Sequence, residues 1–184
     1  MLAEKLKEQT KAAHIELEKA LVQKIKSITT IDDYLQILIY FYWFFDPLEA
    51  NIRRQLEHVL PDINERRKMT WLEEDIQALA SAAQPIKPFQ ELPFVQNQQQ
   101  AFGTLYVIEG STLGGQVISK MILQRIPELK DKGLRFFSGY GENTMKMWNE
   151  FKDHLNSRPW TTSQEEEIIA AANATFNLFK HSFA

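Results

Sequence analysis

Glu109-Gly110-Ser111-Thr112-Leu113-Gly114-Gly115-Gln116 decides the reading of this 184-residue chain. Four of its seven glycines, Gly103, Gly110, Gly114 and Gly115, fall in a stretch from about Phe94 to Ile126 that otherwise reads as one long helix. Each glycine inside a helix costs roughly 1 kcal/mol relative to alanine. A cluster of them needs a cause: either something bulky lies against bare backbone, or the helix bends. The pattern is that of a helix that gives up its side chains to a flat ligand.

Outward from this segment the chain reads as helices. Leu2, Leu6, Ala13, Leu17, Leu21 and Ile25 mark one face of a single first helix. Thr30 or Asp32 is positioned to cap a second, with Leu35, Leu38, Ile39, Tyr42 and Phe45 on its buried side. Pro47 should kink or restart it before Leu48, Ile52, Leu56 and Val59. A third helix is expected from about Thr70 to Ala83, then a proline-bearing loop over Gln84 to Pro93. After the glycine-bearing helix, a loop from Pro127 to Gly141 leads to a helix over Glu142 to Leu155. Thr162 or Ser163, followed by the acids Glu165 to Glu167, opens the last. No strand, repeat or low-complexity signal interrupts the series. The expectation is one all-α domain, 1–184, of about seven helices.

Composition narrows the function classes. A net charge of -3 and pI near 5.8 provide no basic field for nucleic acid. The absence of cysteine excludes disulfides, zinc-thiolate sites and iron–sulfur clusters, and fits a reducing cytoplasm. The N-terminal residues lack the apolar core of a signal peptide. The run Ile37 to Phe45 is too short to insert into a bilayer, which takes roughly 20 apolar residues. The aromatics Tyr40 to Phe45 read as core and pocket lining rather than a stacking platform for bases. Glu65-Arg66-Arg67-Lys68 reads as a solvated loop or helix end, with docking of an acidic electron donor as its functional alternative.

His14 lies three residues before Leu17 and seven before Leu21, which places it with the apolar face. Glu18, one turn on, can accept a hydrogen bond from the imidazole, the usual arrangement behind a metal-ligating histidine. Lys7, seven residues earlier, would project on the same side about 10 Å away by helical rise. A packed core histidine with a commonplace i,i+4 partner explains the same residues. His58, His154 and His181 share no metal-ligand spacing with it, which argues against bare zinc or di-iron. Heme needs only one axial protein ligand and is compatible.

Leu6-Lys7-Glu8-Gln9-Thr10-Lys11-Ala12-Ala13-His14 with Glu18 resembles the proximal helix of the heme oxygenase family. Tyr106 through Gln116 resembles its distal helix, and the ordered pair is specific where either alone is only suggestive. Arg135-Phe136-Phe137, Gly139-Tyr140-Gly141 and Trp148 through Phe151 look like bacterial members, including those associated with bacterial phytochromes. The resemblance implies an all-helical fold holding heme between the first helix and the kinked glycine-rich one. By it, His14 is the iron ligand and Glu18 its hydrogen-bond partner. Gly110, Ser111 and Gly114 form the catalytic distal face, with Gly115 also against the cofactor. Lys7 and Lys152 meet the propionates, and Phe176 walls the pocket. The implied chemistry consumes O2 and electrons and releases biliverdin, carbon monoxide and ferrous iron. No flavin or nicotinamide fingerprint is present, so the electrons would come from a reductase or ferredoxin.

Two positions depart from the family pattern. Many members carry an arginine where this chain has Asn156, and Arg158 is the nearest substitute. The mammalian-type motif has a carboxylate where this chain has Ser111. That carboxylate organises distal water for proton delivery; a hydroxyl hydrogen-bonds but holds no negative charge. Glu109 is the neighbouring acid, but adjacent helical residues point about 100° apart, which turns it away from the iron. Ser111 therefore keeps a non-catalytic heme carrier or sensor on the same fold as the alternative. A related helical protein handling another small molecule, with His14 merely packed, is the third reading.

Overall fold

Eight α-helices run through the described residues of the computed structural model, which are 1–66, 68–79, 95–130 and 132–181. They are α1 (Leu2–Gln9), α2 (Lys11–Lys26), α3 (Ile31–Leu56), α4 (Thr70–Leu79), α5 (Gln98–Arg125), α6 (Arg135–Ser138), α7 (Thr144–Asn156) and α8 (Thr162–His181). Short 3-10 turns at Pro127–Leu129 and Gly141–Asn143 flank α6, and no strand occurs among the described residues. The expected proline loop over 84–93 lies outside them, as do the last residues expected of the third helix and Phe94.

The single first helix is instead two. Thr10 separates α1 from α2 with φ -101° and ψ -2°, and its hydroxyl donates to the Leu6 carbonyl at 2.7 Å. A threonine bonded back to the preceding turn competes with the backbone ladder and bends helices. The α1 start is tied down by Asn156, whose Oδ1 accepts from the Ala3 amide at 3.0 Å, and Lys5 pairs with Glu165 of α8. Lys7 and His14 thus stand on different helices, and the rise along one straight helix does not set their separation.

Pro47 does not restart the helix: α3 runs through it without a break. A proline in a helix interior costs about 3 kcal/mol. The burial of Phe41, Phe44, Phe45, Leu48 and Ile52 around it, at roughly 1.5–3 kcal/mol per large apolar side chain, outweighs that. The start of α3 is a capping box: Asp33 N donates to Thr30 Oγ1 at 3.1 Å and Thr30 N to Asp33 Oδ2 at 2.9 Å. The Thr29 amide and hydroxyl donate to the same carboxylate, which they help hold at a pKa of about 2.

At the centre, Phe41 of α3 meets Phe137 of α6 at 5.2 Å and Phe179 of α8 at 4.8 Å, both edge-on. The short α6 falls where a loop is expected. It forms because Asp75 of α4, 2% exposed, accepts from the amides of Arg135 and Phe136, both at 2.8 Å. A side chain from another helix here satisfies two of the four orphan donors of a helix start. No helix among the described residues is long and apolar enough to cross a membrane.

Candidate functional site

The glycine-bearing helix α5 packs on α2, α3, α6, α7 and α8 and is the axis of the site. Asn97 caps it, accepting from Gln100 N at 2.9 Å, and Glu167 of α8 receives both the Asn97 and Gln100 side-chain amides. Its helical assignment runs unbroken through Gly110, Gly114 and Gly115. The turn before Gly110 is nonetheless loaded: Ser111 Oγ donates to the Ile108 carbonyl at 2.7 Å and Thr112 Oγ1 to the Glu109 carbonyl at 2.6 Å. Such backbone-directed hydroxyls are among the ordinary causes of helix bending.

The four glycines divide by what fills the place of a side chain. A Cβ on Gly103 would sit 2.2 Å from the Ile168 carbonyl oxygen, and one on Gly115 2.1 Å from that of Phe137. These two let α8 and α6 touch α5 backbone to backbone. A Cβ on Gly110 would reach only the Trp148 ring edge at 3.6 Å, and on Gly114 nothing within 4 Å. Gly115 is therefore accounted for by α6, and the open side of α5 belongs to Gly110 and Gly114. Leu113 and Val117 share that region of the helix and are 42% and 61% exposed. Large apolar side chains left this open beside bare backbone make a surface suited to an apolar ligand.

His14 stands on α2, which packs against α5. It is not buried with Leu17 and Leu21: its side chain is half exposed, with the ring 5.3 Å from that of Phe176 on α8. Its Nε2 lies 3.4 Å from Glu18 Oε1, beyond ordinary hydrogen-bond length. Ile15, the next residue, is also exposed. The buried Tyr106, one turn before Gly110, has the Thr10 side chain beside it, which brings the α1–α2 break to α5. Burial raises its pKa, with Thr10 pulling the other way. The fold thus gathers His14, Glu18, Phe176, Gly110 and Gly114 on three mutually packed helices, with an imidazole open to a ligand.

The two lysines lie on neighbouring helices. Lys7 on α1 is exposed and enters no ion pair among the described residues. Lys152 on α7, half-buried, holds its ammonium 5.7 Å from the Trp148 ring centroid. The Ala3–Asn156 bond joins these helices, which gives Asn156 a structural role of its own. Arg158 is already engaged: it donates to the Val59 carbonyl at 2.6 Å and lies over Phe102 and Trp160.

In the basic run at 65–68, Glu65 and Lys68 are exposed as expected and Arg67 lies outside the described residues, but Arg66 is not solvated: it is 1% exposed. Its Nη1 donates to Glu109 Oε2 at 2.7 Å, while Nε and Nη2 donate to Asp62 at 3.0 and 2.6 Å. Tyr140 OH donates to the same Glu109 carboxylate at 2.8 Å. Glu109 and Asp62 keep the Arg66 pKa raised although burial pulls it down. Glu109 is thus committed to Arg66 and Tyr140, which agrees with its pointing away from the proposed distal face. Arg66 was hidden in sequence by its charged neighbours and by a partner 43 residues away; no local spacing announces the pair.

The chain matches the heme oxygenase family model over residues 1–184. It is 33% identical over 114 residues to a heme oxygenase of Xanthomonas campestris pv. campestris, a stretch covering 62% of this chain and 66% of that protein. The heme oxygenase of Leptospira interrogans superposes with a TM-score of 0.82 at 21% identity, covering 99% of this chain and 98% of that one. The NO- and CO-bound heme oxygenase of Neisseria meningitidis gives 0.83 at 24% identity, covering 100% and 90%. A heme complex of a Synechocystis heme oxygenase gives 0.78 at 20% identity, covering 99% and 90%. The chain belongs to the heme oxygenase family.

Proposed function

We propose that this protein binds heme as its substrate through His14 and cleaves it oxidatively to biliverdin, carbon monoxide and ferrous iron. The observation that carries this reading is an open imidazole, backed by Phe176, on a helix that packs on α5, whose Gly110 and Gly114 leave bare backbone uncrowded by any neighbouring main chain. The donor set fits the substrate: one axial histidine suffices for heme iron, and among the described residues no cluster of three or more metal-binding side chains points to another metal site. Heme supplies the iron that activates O2, and the protein supplies binding, orientation and hydrogen bonding. On loading, Glu18 closes to hydrogen-bond distance of the imidazole and fixes its orientation. Lys7 and Lys152 meet the propionates as cations, while Gly110 and Gly114 allow close approach to backbone. Ser111 anchors distal water in place of a carboxylate. Electrons come from a separate reductase or ferredoxin. The similarity at Arg135 to Gly141 and Trp148 to Phe151 supports a bacterial type with a functional link to a phytochrome, and the cysteine-free chain fits a cytoplasmic setting.

One observation favours a second reading. Ser111 donates to the Ile108 carbonyl, and a hydroxyl so engaged is a poorer proton relay than a carboxylate. A non-catalytic heme carrier or sensor would follow if the distal water network is not held. Titration with ferric heme, then reductant in air, with His14→Ala alongside, separates the two. A Soret band that decays into a bilin spectrum, and is lost or shifted in the variant, supports the oxygenase. A Soret band that persists under turnover supports the carrier. No specific Soret band removes both.

A further inference from the structure

Arg66, Glu109 and Tyr140 converge from three parts of the chain at the residue immediately before Gly110. Arg66 follows α3, Glu109 lies on α5, and Tyr140 opens the turn between α6 and α7. Arg66 and Glu109 are each 1% exposed and 2.7 Å apart. Arg66 also donates to the Met147 carbonyl of α7 at 3.3 Å and lies 5.3 Å from the Phe151 ring. Four hydrogen bonds of its guanidinium therefore reach Asp62, Glu109 and α7.

A buried ion pair is weak support for stability, because apolar residues of similar volume often serve as well. Its best-attested use is to fix one register among several. Here such a device is needed. The adjoining segment has no side chains at positions 110 and 114 to set its place by packing on that side, and the close contacts at Gly103 and Gly115 lie on either side of it along the helix. Ser111 and Thr112 also compete for the carbonyls of the same turn. A forked guanidinium and a phenol holding one carboxylate from two directions define that rotation geometrically.

We infer that the Arg66–Glu109–Tyr140 cluster is a positioning device that fixes where the backbone of residues 110–114 lies. The three residues act through Gly110 and Ser111 and do not themselves meet substrate. What the fixed segment serves rests on the proposed heme chemistry; that it is fixed by this cluster does not.

Hydrogen exchange of the heme-free protein tests the device directly. Glu109→Gln keeps the shape and loses the charge, and Tyr140→Phe removes one donor while keeping the ring against Trp71. In both, amides of 108–116 should exchange about fivefold or more faster, with α3 and α8 unchanged. Equal exchange in variant and parent overturns the inference, and so does acceleration spread evenly over all helices, which reports lost stability alone. On heme-loaded protein, the same variants should keep the ferric-heme Kd within about threefold. The ferrous-CO stretch should shift or split, the ratio of biliverdin isomers should change, and kcat should fall more than KM rises. An unaltered CO stretch and isomer ratio overturns the inference. Should the parent bind no heme, the functional reading fails, and hydrogen exchange alone decides on the device.

Discussion

Gly103 and Gly110 lie two turns apart on one helix and are glycine for different reasons. At Gly103, as at Gly115, a neighbouring helix's carbonyl oxygen occupies the space a methyl group would need. At Gly110 and Gly114 no backbone crowds the position. One pair brings protein against protein; the other leaves a bare strip beside exposed Leu113 and Val117. A glycine cluster in a sequence therefore merges two signals, close helix packing and ligand approach, that only the neighbours separate. The Gly114-Gly115 pair shows the point most sharply, since adjacent residues fall on opposite sides of the division.

The largest effect should come from the crowded pair. Gly115→Ala and Gly103→Ala each force a Cβ to within about 2 Å of a carbonyl oxygen, so α6 or α8 must move. Each should cost about 3 kcal/mol, the upper part of the usual overpacking range. At 2–4 °C per kcal/mol for a chain of this size, Tm should fall by about 6–12 °C. Thermal unfolding of the heme-free proteins checks it. Parent-like stability in either would mean that the close contact is not what requires the glycine.

A smaller effect probes the same contact from the other side. Asp75 holds the start of α6, and so the Phe137 carbonyl that fills Gly115's space. Asp75→Asn keeps one acceptor oxygen and leaves one amide unmatched, costing about 1–2 kcal/mol in a urea titration at pH 7. The cost should depend on pH. Burial raises the Asp75 pKa against the pull of the two amides, so the folded state binds this proton more tightly than the unfolded chain does. That contribution is complete below the unfolded value of about 3.9 and is lost as pH rises through the higher native one. The stability gap between parent and Asp75→Asn should therefore widen as pH falls from 7 toward 4. A gap that narrows would mean that the amides outweigh burial.

The two kinds of glycine also mark what was legible in the sequence. Helical periodicity placed α3, α7 and α8 to within a few residues, because a buried apolar face repeats locally. The cap at Thr30 was legible for the same reason: its partner Asp33 is three residues away. The break at Thr10 was not, since it depends on whether a hydroxyl turns back to the Leu6 carbonyl, which spacing does not announce. Nor was α6, whose start is satisfied by a carboxylate 60 residues earlier. At the candidate site, His14, Glu18, Gly110 and Gly114 stood out by spacing and by resemblance. Arg66 did not, because a buried arginine beside three charged residues looks like a solvated run until Glu109 is brought to it. Short-range causes show in a sequence; pairings across 43 or 60 residues appear only when the chain is folded.

Gly114→Ala should have the smallest effect on stability and is the sharpest test of the division. With nothing within 4 Å of the added methyl, the substitution gains helix propensity and restricts the unfolded chain. The heme-free protein should become more stable by about 0.5–1 kcal/mol, raising Tm by about 1–4 °C. The same methyl group would stand on the strip where the substrate is proposed to approach the backbone. Heme affinity, turnover or the ratio of biliverdin isomers should therefore change in the variant, although its fold is firmer. Destabilisation would show that the open side is filled in solution. Stabilisation with heme affinity, turnover and isomer ratio all unaltered would separate Gly114 from the ligand face and leave Gly110 to account for it alone. Only a gain in stability joined to a change in heme handling fits a glycine kept for a ligand rather than for a neighbouring helix.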